Sequence, residues 1–400
     1  MAALERPRPG PGSRGAHRAA ARRDRDRAVN GRVVTPTGRA PGTGRRVLVI
    51  VMCVLPALAA GLLWRPAPGP LPSGHVGDAG LAELARDVIG PDRPALAVAA
   101  VTAQDVRTAA IGAGLQDRFE IGSISKGLTG LLFADMIGRG EVTPETRVGA
   151  LLPLDPPLAD VTLAQLATHH SGLTSQPETM GQFLRNYWGS LAAANPYDAT
   201  LAERLASLEG AELTEPPATY SNTGFELLGA ALAAAAGASY PQLLAERVLG
   251  PLGMQDTIVP VSAAELGPGD VIGETGGGRR ADPWLGEAAA PAGAVRADVT
   301  DMAVLARALL TGEAPGIDAL APRLPFDEED RIGWAWFTRT DPETGHEVVW
   351  HNGGTGGFTA FIGIDRQAGV GVAVLSAVGE SPNHVTRAGF SLLARIGADA

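Results

Sequence analysis

Apolar runs of strand length occur at both ends of the region 79–400, and helical patterns fill the interval between them. Two of these runs lie within 95–114, and four lie within 331–377. Strands at both ends of a region with helices in its middle predict one antiparallel sheet and a mostly helical insert, which we place at about 141–290. The predicted fold class is therefore α+β.

Helical patterns also mark the segments that should flank this sheet. The region opens with apolar residues at the spacing of an amphipathic helix, namely Leu81, Leu84, Ala85 and Val88. It closes with a helical pattern over 384–397. A further helix, which should be buried, is predicted from Ser123 to about Ile137.

The residues before this region differ from it in composition. Residues 1–46 hold twelve arginines against three acidic residues and show no apolar periodicity, which predicts a disordered tail. Residues 47–64 carry no charge, and these 18 residues are just enough to span a bilayer as a helix. The arginines in front would keep the tail in the cytoplasm and place the region 79–400 outside. Residues 65–78 then form a Pro/Gly-rich stalk.

A secretory signal is the alternative interpretation of residues 47–64. Arg45-Arg46 precede a short apolar core, and Ala57–Ala59 offers small residues of the kind found at cleavage sites. A lead of 46 residues is long for such a signal and favours an uncleaved anchor. Under either interpretation the body of the protein is extracellular, anchored in the membrane or secreted.

Charge and cysteine content exclude several classes of protein. The formal net charge is −10 although the first 46 residues are strongly basic, so the body is acidic. An acidic body argues against nucleic-acid binding, which needs a basic surface. The single cysteine, Cys53, excludes an intramolecular disulfide and a cysteine-based zinc site.

Lysine occurs once in the chain, at Lys126, and every other member of the Lys+Arg total is arginine. Ser123 lies three positions earlier, on the same face of the predicted helix and at its start, where developing negative charge is stabilised. A desolvated lysine can lose its proton and activate a serine, whereas an arginine cannot. The alternative is a serine N-cap followed by a solvated lysine.

A second candidate cluster contains Tyr220, Ser221 and Asn222. The phenol of Tyr220 can relay or accept a proton, and the amide of Asn222 can bond a substrate carbonyl. The same residues are also compatible with ordinary turn chemistry next to a tyrosine of the core.

A third candidate cluster runs from His351 through Asn352 and Gly353 to Gly354. Asn-Gly between apolar runs is a leading signal for a hairpin turn. The alternative is a strand edge whose glycines let a substrate backbone approach closely. The adjacent His169 and His170 do not suggest a metal site, because neighbouring side chains diverge and no ligand lies at a suitable spacing.

In this order, Ser-x-x-Lys, Tyr-Ser-Asn and His-x-Gly resemble the motifs of the serine β-lactamase and penicillin-recognising superfamily, and most closely its class C branch. The resemblance covers roughly residues 79–400 and includes the stretches "FEIGSISK", "LATHHSGL" and "PLGMQDT". It implies the β-lactamase/D,D-peptidase-like fold. It also implies a serine hydrolase that needs no metal or organic cofactor, and we expect a monomer.

The resemblance implies a role for each motif. Ser123 would be the nucleophile that forms an acyl-enzyme, with Lys126 and Tyr220 sharing the proton transfers and either of them the base. Asn222 would orient the substrate, and the backbone N–H groups of Ser123 and Gly354 would form the oxyanion hole. His351, Asn352 and Gly353 would complete the site from the third motif.

The third motif departs from the β-lactamase pattern, which has Lys-Thr-Gly or Lys-Ser-Gly where this chain has His351, Asn352 and Gly353. A histidine there would be only partly charged near neutral pH. The departure favours a D,D-peptidase acting on cell-wall-like peptides, followed by a carboxylesterase and then a β-lactamase. A non-catalytic receptor that binds penicillin or peptidoglycan is the alternative from another class.

Overall fold

The computed structural model describes residues 67–173, 193–197, 199–214 and 218–398. Their central element is a sheet of nine strands, which is antiparallel at every pairing. The strands, in chain order, are β1 (Val76–Gly77), β2 (Leu96–Val101), β3 (Val106–Ile111), β4 (Phe119–Glu120), β5 (Glu274–Thr275), β6 (Arg296–Ala297), β7 (Leu324–Pro325), β8 (Asp330–Ile332), β9 (Phe337–Thr340), β10 (Glu347–Gly354), β11 (Thr359–Asp365), β12 (Val370–Ser376) and β13 (Val378–Gly379). The large sheet has the order β1-β3-β2-β12-β11-β10-β9-β8-β7, while β4 pairs with β6 and β5 with β13.

The central strands of this sheet are buried on both faces. Along β12, Val370, Val372 and Val374 pack into one apolar core, whereas Ala373 and Leu375 pack into the other. Successive side chains of a strand point to opposite faces, so a strand between two cores needs apolar residues at every position. This explains why the sequence of these strands is continuously apolar and does not alternate with polar residues.

Helices cover both faces of the sheet. They are α1 (Ala79–Ile89), α2 (Ile124–Gly138), α3 (Leu163–Ala167), α4 (Leu201–Ala206), α5 (Asn222–Ala236), α6 (Tyr240–Leu244), α7 (Gly250–Leu252), α8 (Ala290–Gly293), α9 (Val299–Thr311) and α10 (Pro382–Ala398). The terminal helices α1 and α10 pack on one face, and α2 and α9 pack on the other. The predicted α+β class, with one antiparallel sheet flanked by terminal helices, is confirmed.

Helix α2 is deeply enclosed, with twelve of its fifteen residues buried. Two glycines let a tryptophan-containing loop lie directly on it. A Cβ at Gly127 would be 2.7 Å from the Trp336 ring, and a Cβ at Gly130 would be 2.1 Å from the backbone oxygen of Trp334. The Trp336 indole in turn donates a hydrogen bond of 3.1 Å to the Gly127 carbonyl. The packing fixes α2, and with it the start of the helix, against the rest of the domain.

One sequence interpretation is wrong in the structure. Asn352-Gly353 is not a hairpin turn, because β10 continues through Gly354. The turn follows instead, where the Thr355 N–H donates to the Phe358 carbonyl at 2.9 Å. The additional glycines and Thr355 displace the turn, and the Asn-Gly pair remains in the ladder with β11.

The predicted tail and the predicted membrane span 47–64 lie outside the described residues. Within the part of the chain that the structure describes, no single helix is both long and apolar enough to cross a membrane. Only the bent pair of Asn222–Ala236 and Tyr240–Leu252 reaches that length and composition together.

The glycines of α2 give a matched test of this packing. We expect Gly130→Ala to destabilise the protein by about 1–3 kcal/mol, because the new methyl group meets backbone that cannot move aside. Gly138→Ala in the same helix meets nothing within 4 Å and should be neutral or stabilising by up to about 1 kcal/mol. Urea denaturation of both variants measures the difference, and equal effects at the two positions would contradict the close approach.

Candidate active site

Ser123 occupies the position just before α2, where the chain turns sharply into the helix. Gly122 supplies the left-handed backbone conformation of that turn, with φ of +53°. The Ser123 side chain makes no capping hydrogen bond, unlike an ordinary serine at a helix start. Within the described residues its backbone N–H also has no hydrogen-bond partner. The backbone N–H is therefore available to a ligand in the adjoining cavity, which Ser123 lines.

Lys126 is fully buried, so the alternative of a solvated lysine is wrong. Its Nζ lies 3.0 Å from Ser123 Oγ and donates a 2.6 Å hydrogen bond to the carbonyl of Ala292 in α8. A neutral amine has two hydrogens to donate and one lone pair. In this arrangement it can donate to Ala292 while accepting the proton of the Ser123 hydroxyl.

The charge state of Lys126 is set by burial. Desolvation lowers its pKa to about 7, although the nearby carboxylate of Glu226 acts in the opposite direction. Glu226 is itself buried and forms an ion pair with Arg204, at 2.5 Å, so its charge is already compensated. A substantial fraction of Lys126 is thus unprotonated at neutral pH, as a general base requires.

Tyr220 and Asn222 are positioned by the start of α5. Ser221 caps this helix, accepting a 2.9 Å hydrogen bond from the Gly224 N–H, so the turn chemistry anticipated for this stretch is present. Tyr220 and Asn222, on either side of Ser221, both line the cavity. Asn222 Nδ2 donates to the Tyr197 hydroxyl at 2.9 Å.

The Tyr220 ring lies next to both Ser123 and Lys126 of the first motif. Lys126 Nζ is 4.9 Å from the centroid of the Tyr220 ring, and the Tyr220 hydroxyl is hydrogen-bonded with Ser123. Burial raises the pKa of Tyr220 above its ordinary value. The phenol therefore stays protonated near neutral pH, which suits it to relay a proton rather than to remove one as a phenolate.

The end of β10 is pressed against the turn that carries Ser123. A Cβ at Gly353 would be 1.9 Å from the Ile121 carbonyl oxygen, and a Cβ at Gly122 would be 2.6 Å from the Gly354 nitrogen. Only glycine permits this contact, which brings the strand against the protein's own backbone. Ser123 and Gly354 consequently line one cavity, as a pair of oxyanion-binding N–H groups would have to. The predicted close approach of a substrate backbone stays a prediction.

His351 does not behave as the sequence suggested. It is fully buried, and burial together with the nearby Lys126 lowers its pKa to about 3. The imidazole is therefore neutral near neutral pH, and the expected partial charge is wrong. Its Nδ1 lies 2.6 Å from the carbonyl of Asn352, so the ring is held by its own strand.

Asn352 is directed away from the predicted substrate site. Its Nδ2 donates a 2.8 Å hydrogen bond to Thr386 Oγ1 on α10, which covers the opposite face of the sheet from α2. The side chains of adjacent strand residues alternate between faces, so His351 and Asn352 cannot both point toward Ser123. His351, Asn352 and Gly353 are absent from the residues that line the cavity beside the nucleophile.

The cavity itself has a volume of about 100 Å³. Its walls combine the predicted motif residues with aromatic and small side chains; the lining residues are Ser123, Tyr197, Tyr220, Asn222, Trp284, Ala289, Ala292, Gly293, Ala294 and Gly354. Tyr197 and Trp284 meet edge to face, with ring centroids 4.7 Å apart. The sequence analysis did not identify either residue. The available signal was that aromatic residues, only 5% of the chain, lie here in proline-containing loops.

A buried ion pair anchors the loop that carries Trp284. Glu120 lies three residues before Ser123. Its Oε1 accepts a 2.9 Å hydrogen bond from the backbone N–H of Trp284 and a second, also of 2.9 Å, from the Arg296 guanidinium. Glu120 and Arg296 are both almost fully buried. This contact joins one wall of the cavity to the strand that leads into the nucleophile turn.

His169 is a further residue beside the site, which the sequence analysis considered only as a possible metal ligand. Its ring centroid lies 4.3 Å from that of Tyr220, and it is fully enclosed. Its Nδ1 accepts a 3.0 Å hydrogen bond from the Ser221 N–H. The loop after α3 therefore packs against Tyr220 and accepts a hydrogen bond from Ser221 of the second motif.

The geometry agrees with the comparison of this chain with known proteins. A family model described as "Beta-lactamase" matches residues 60–395, which is most of the chain. The chain belongs to the beta-lactamase family. This family consists of serine hydrolases. The role of Ser123 as the nucleophile stays a prediction.

Curated relatives include a penicillin-binding protein and a D-alanyl-D-alanine carboxypeptidase/endopeptidase. Penicillin-binding protein 4* of Bacillus subtilis is 27% identical over 268 residues, which are 61% of this chain and 57% of that protein. D-alanyl-D-alanine-carboxypeptidase/endopeptidase AmpH of Escherichia coli is 27% identical over 239 residues, 54% of this chain and 58% of AmpH. The match thus spans less than two thirds of either relative.

Solved structures share the fold at low sequence identity. A mutant class C beta-lactamase has a TM-score of 0.67 at 18% identity, covering 79% of this chain and 98% of that one. The octameric penicillin-binding protein homologue from Pyrococcus abyssi has a TM-score of 0.65 at 21% identity, covering 80% of this chain and 76% of that one. These likenesses establish the fold, which the sequence resemblance had implied.

Replacing the lysine tests its role directly. If neutral Lys126 is the base, acylation of Ser123 by a general serine-hydrolase probe should rise with pH through about 7 and then level off. Lys126→Arg should keep a folded protein but lower the acylation rate by ~10²–10⁴-fold at every pH, because arginine does not deprotonate. An active arginine variant would refute this role.

Tyr220 can be tested with a change that retains its ring. Tyr220→Phe preserves packing against His169 but removes the hydroxyl that is bonded with Ser123. We expect the acylation rate to fall by ~10²–10⁴-fold with an unchanged melting temperature. An equally active Phe variant would show that the hydroxyl takes no part in proton transfer.

Proposed function

We propose that the protein is a hydrolase that acts through an acyl-enzyme on Ser123. The observation that carries the proposal is the buried amine of Lys126, 3.0 Å from Ser123 Oγ and with a pKa lowered to about 7 by burial. A binding protein has no need for a desolvated amine beside a serine hydroxyl, because the arrangement is costly unless it performs chemistry.

The proton transfers follow from the charge states of the two neighbours. Neutral Lys126 accepts the Ser123 proton as Oγ attacks the substrate carbonyl, and the resulting oxyanion is stabilised by the N–H groups of Ser123 and Gly354. Tyr220, whose pKa is raised by burial, gives a proton to the leaving group as the tetrahedral intermediate collapses, and the proton held by Lys126 replaces it. A water molecule then releases the acyl group by the reverse sequence of transfers.

We propose a D,D-peptidase type of substrate, a D-amino-acid peptide of the cell-wall kind. The support is the name of the curated relative AmpH, a D-alanyl-D-alanine carboxypeptidase/endopeptidase, together with the penicillin-binding relative from Bacillus subtilis. Asn222 lies in the cavity wall, where its side chain can bond the amide carbonyl of such a peptide.

A carboxylesterase is the second candidate, and the third motif favours it. Asn352 is bonded to Thr386 and His351 is neutral near neutral pH, so neither supplies a cation or a hydroxyl for a substrate carboxylate. The small cavity of about 100 Å³, with walls of alanine, glycine and two aromatic rings, would accept a compact uncharged acyl group.

The proposed site of action is extracellular, with residues 47–64 as the membrane anchor or an export signal. The support is the uncharged run of 18 residues behind an arginine-rich segment. Substrates of the cell-wall kind would be encountered on that side of the membrane.

The substrate classes can be separated in one set of assays on the full-length protein in mild detergent. We would follow hydrolysis of a peptide ending in D-Ala-D-Ala and of a small neutral ester, and the intact mass after incubation with a penicillin, with Ser123→Ala as control. A lasting penicillin adduct and peptide cleavage, both lost in the control, support the peptidase.

The other outcomes each replace part of the proposal. Ester turnover without peptide cleavage or a penicillin adduct selects the esterase, and rapid destruction of the penicillin selects a β-lactamase. Reversible binding of penicillin, with no covalent labelling of Ser123 by any probe, selects the non-catalytic receptor and overturns the acyl-enzyme proposal.

A further inference from the structure

Two imidazoles buried near Lys126 share an unusual property. His169 and His351 are both fully enclosed, and in each ring the Nε2 atom has no hydrogen-bond partner within the described residues. A buried polar atom that lacks a partner is costly, and native proteins almost always satisfy such atoms through protein or an ordered water. The hydrogen bond made by Nδ1 of each ring determines whether Nε2 is a donor or an acceptor.

His169 is fixed in one tautomer by the backbone. Its Nδ1 accepts the 3.0 Å hydrogen bond from the Ser221 N–H and therefore carries no proton. Burial and the nearby Lys126 hold the pKa of His169 well below its ordinary value, so the ring is neutral. The single ring proton must then be on Nε2, which makes this atom a donor without an acceptor.

His351 is fixed in the opposite tautomer. Its Nδ1 lies 2.6 Å from the Asn352 carbonyl oxygen, and because a carbonyl can only accept, Nδ1 carries the proton. The ring is neutral at working pH for the reasons given above. Its Nε2 is consequently an acceptor without a donor, the complement of His169 Nε2.

Both rings lie near Lys126. The lysine lowers the pKa of each ring, and His351 also lowers the pKa of His169. Phe326 and Phe337, whose centroids are 5.0 Å apart, link them on the other side: Phe326 is 6.0 Å from the His169 ring and Phe337 is 5.3 Å from the His351 ring. The two histidine rings therefore share Lys126 and a pair of packed phenylalanine rings as neighbours.

We propose that His169 is a positioning residue for Lys126 and Tyr220, acting as the donor half of a neutral His169–His351 pair whose Nε2 atoms are joined through one buried water molecule. The water accepts from His169 Nε2–H and donates to His351 Nε2, which satisfies both atoms. The linked rings separate Lys126 from bulk solvent, and His169 packs against the Tyr220 ring. Because both rings are neutral, they place no charge beside the lysine or the tyrosine.

This inference rests on the proposed role of Lys126 as the base, and its effect is on the pH at which that base is available. The groups that face Lys126 are Glu226 from α5, Tyr220 ahead of α5, His169 after α3 and His351 on β10. Since the two histidines stay neutral, they act on the lysine by keeping bulk solvent away from its ammonium form. Removing the His169 ring should let solvent reach the ammonium form of Lys126 again, which raises the pKa of the lysine.

His169→Asn is the decisive variant. Asparagine tolerates the φ of +60° found at His169, and its side-chain oxygen can still accept from the Ser221 N–H, so the loop should be retained. The Nε2–H donor and most of the ring are lost. We expect the midpoint of the pH–rate profile for Ser123 acylation to move up by about one pH unit, with ~10-fold lower activity at pH 6 and nearly full activity at pH 9.

The matched control is His170→Asn in the same loop. The His170 ring bonds the Thr168 carbonyl, and its replacement should leave the midpoint unchanged. A loss in His169→Asn by the same factor at every pH, or a shift that also appears in His170→Asn, would mean a merely structural role and overturn the inference. A flat pH profile in the wild-type protein would instead refute Lys126 as the base, which distinguishes failure of the proposed function.

The pairing has its own readouts. Nitrogen NMR of the wild-type protein with labelled histidine should place the proton on Nε2 of His169 and on Nδ1 of His351 at pH 7; the same tautomer in both would contradict the pairing. If the two rings act through one link, adding His351→Leu to His169→Asn should move the midpoint no further than the larger single shift. Additive shifts would mean that the rings act independently.

Discussion

The contact between the end of β10 and the turn before α2 is the constraint on which the site depends. Gly353 lies against the Ile121 carbonyl at a distance that admits no side chain, and Gly122 meets Gly354 in the same way. Sheet and helix are thereby fixed to each other at the point where two backbone N–H groups must converge. Because the sheet is buried on both faces and α2 is enclosed, a small displacement at this contact would be resisted by both apolar cores.

The same enclosure gives the site its electrostatic character. Lys126 lies in a helix with hardly any exposed surface, and its amine is satisfied by Ala292 and Ser123 rather than by water. Desolvation is then the largest influence on the lysine, and it acts on Tyr220 and His351 as well, in each case favouring the neutral form. The core packing that stabilises the domain therefore also sets the protonation states that the chemistry needs.

Sequence reasoning recovered the parts of this arrangement that have a local pattern. The sheet, the flanking helices and the helix after Ser123 follow from periodicity, and the pairing of Ser123 with Lys126 follows from helix geometry. The face to which Asn352 points depends on how far β10 continues, and the Asn-Gly pair suggested a turn that lies a few residues later. Tyr197, Trp284 and His169 reach the site from loops whose paths only tertiary contacts define, so no spacing in the sequence could identify them.

The single lysine has a chemical consequence beyond catalysis. Its side chain is the only amine in the protein other than the chain terminus, and no part of it is in contact with solvent. Reagents that modify primary amines will therefore find almost no target on the folded surface, and arginine carries the charge of that surface instead. Modification of Lys126 would require the core around α2 to open, so the reactivity of this one amine reports the integrity of the whole domain.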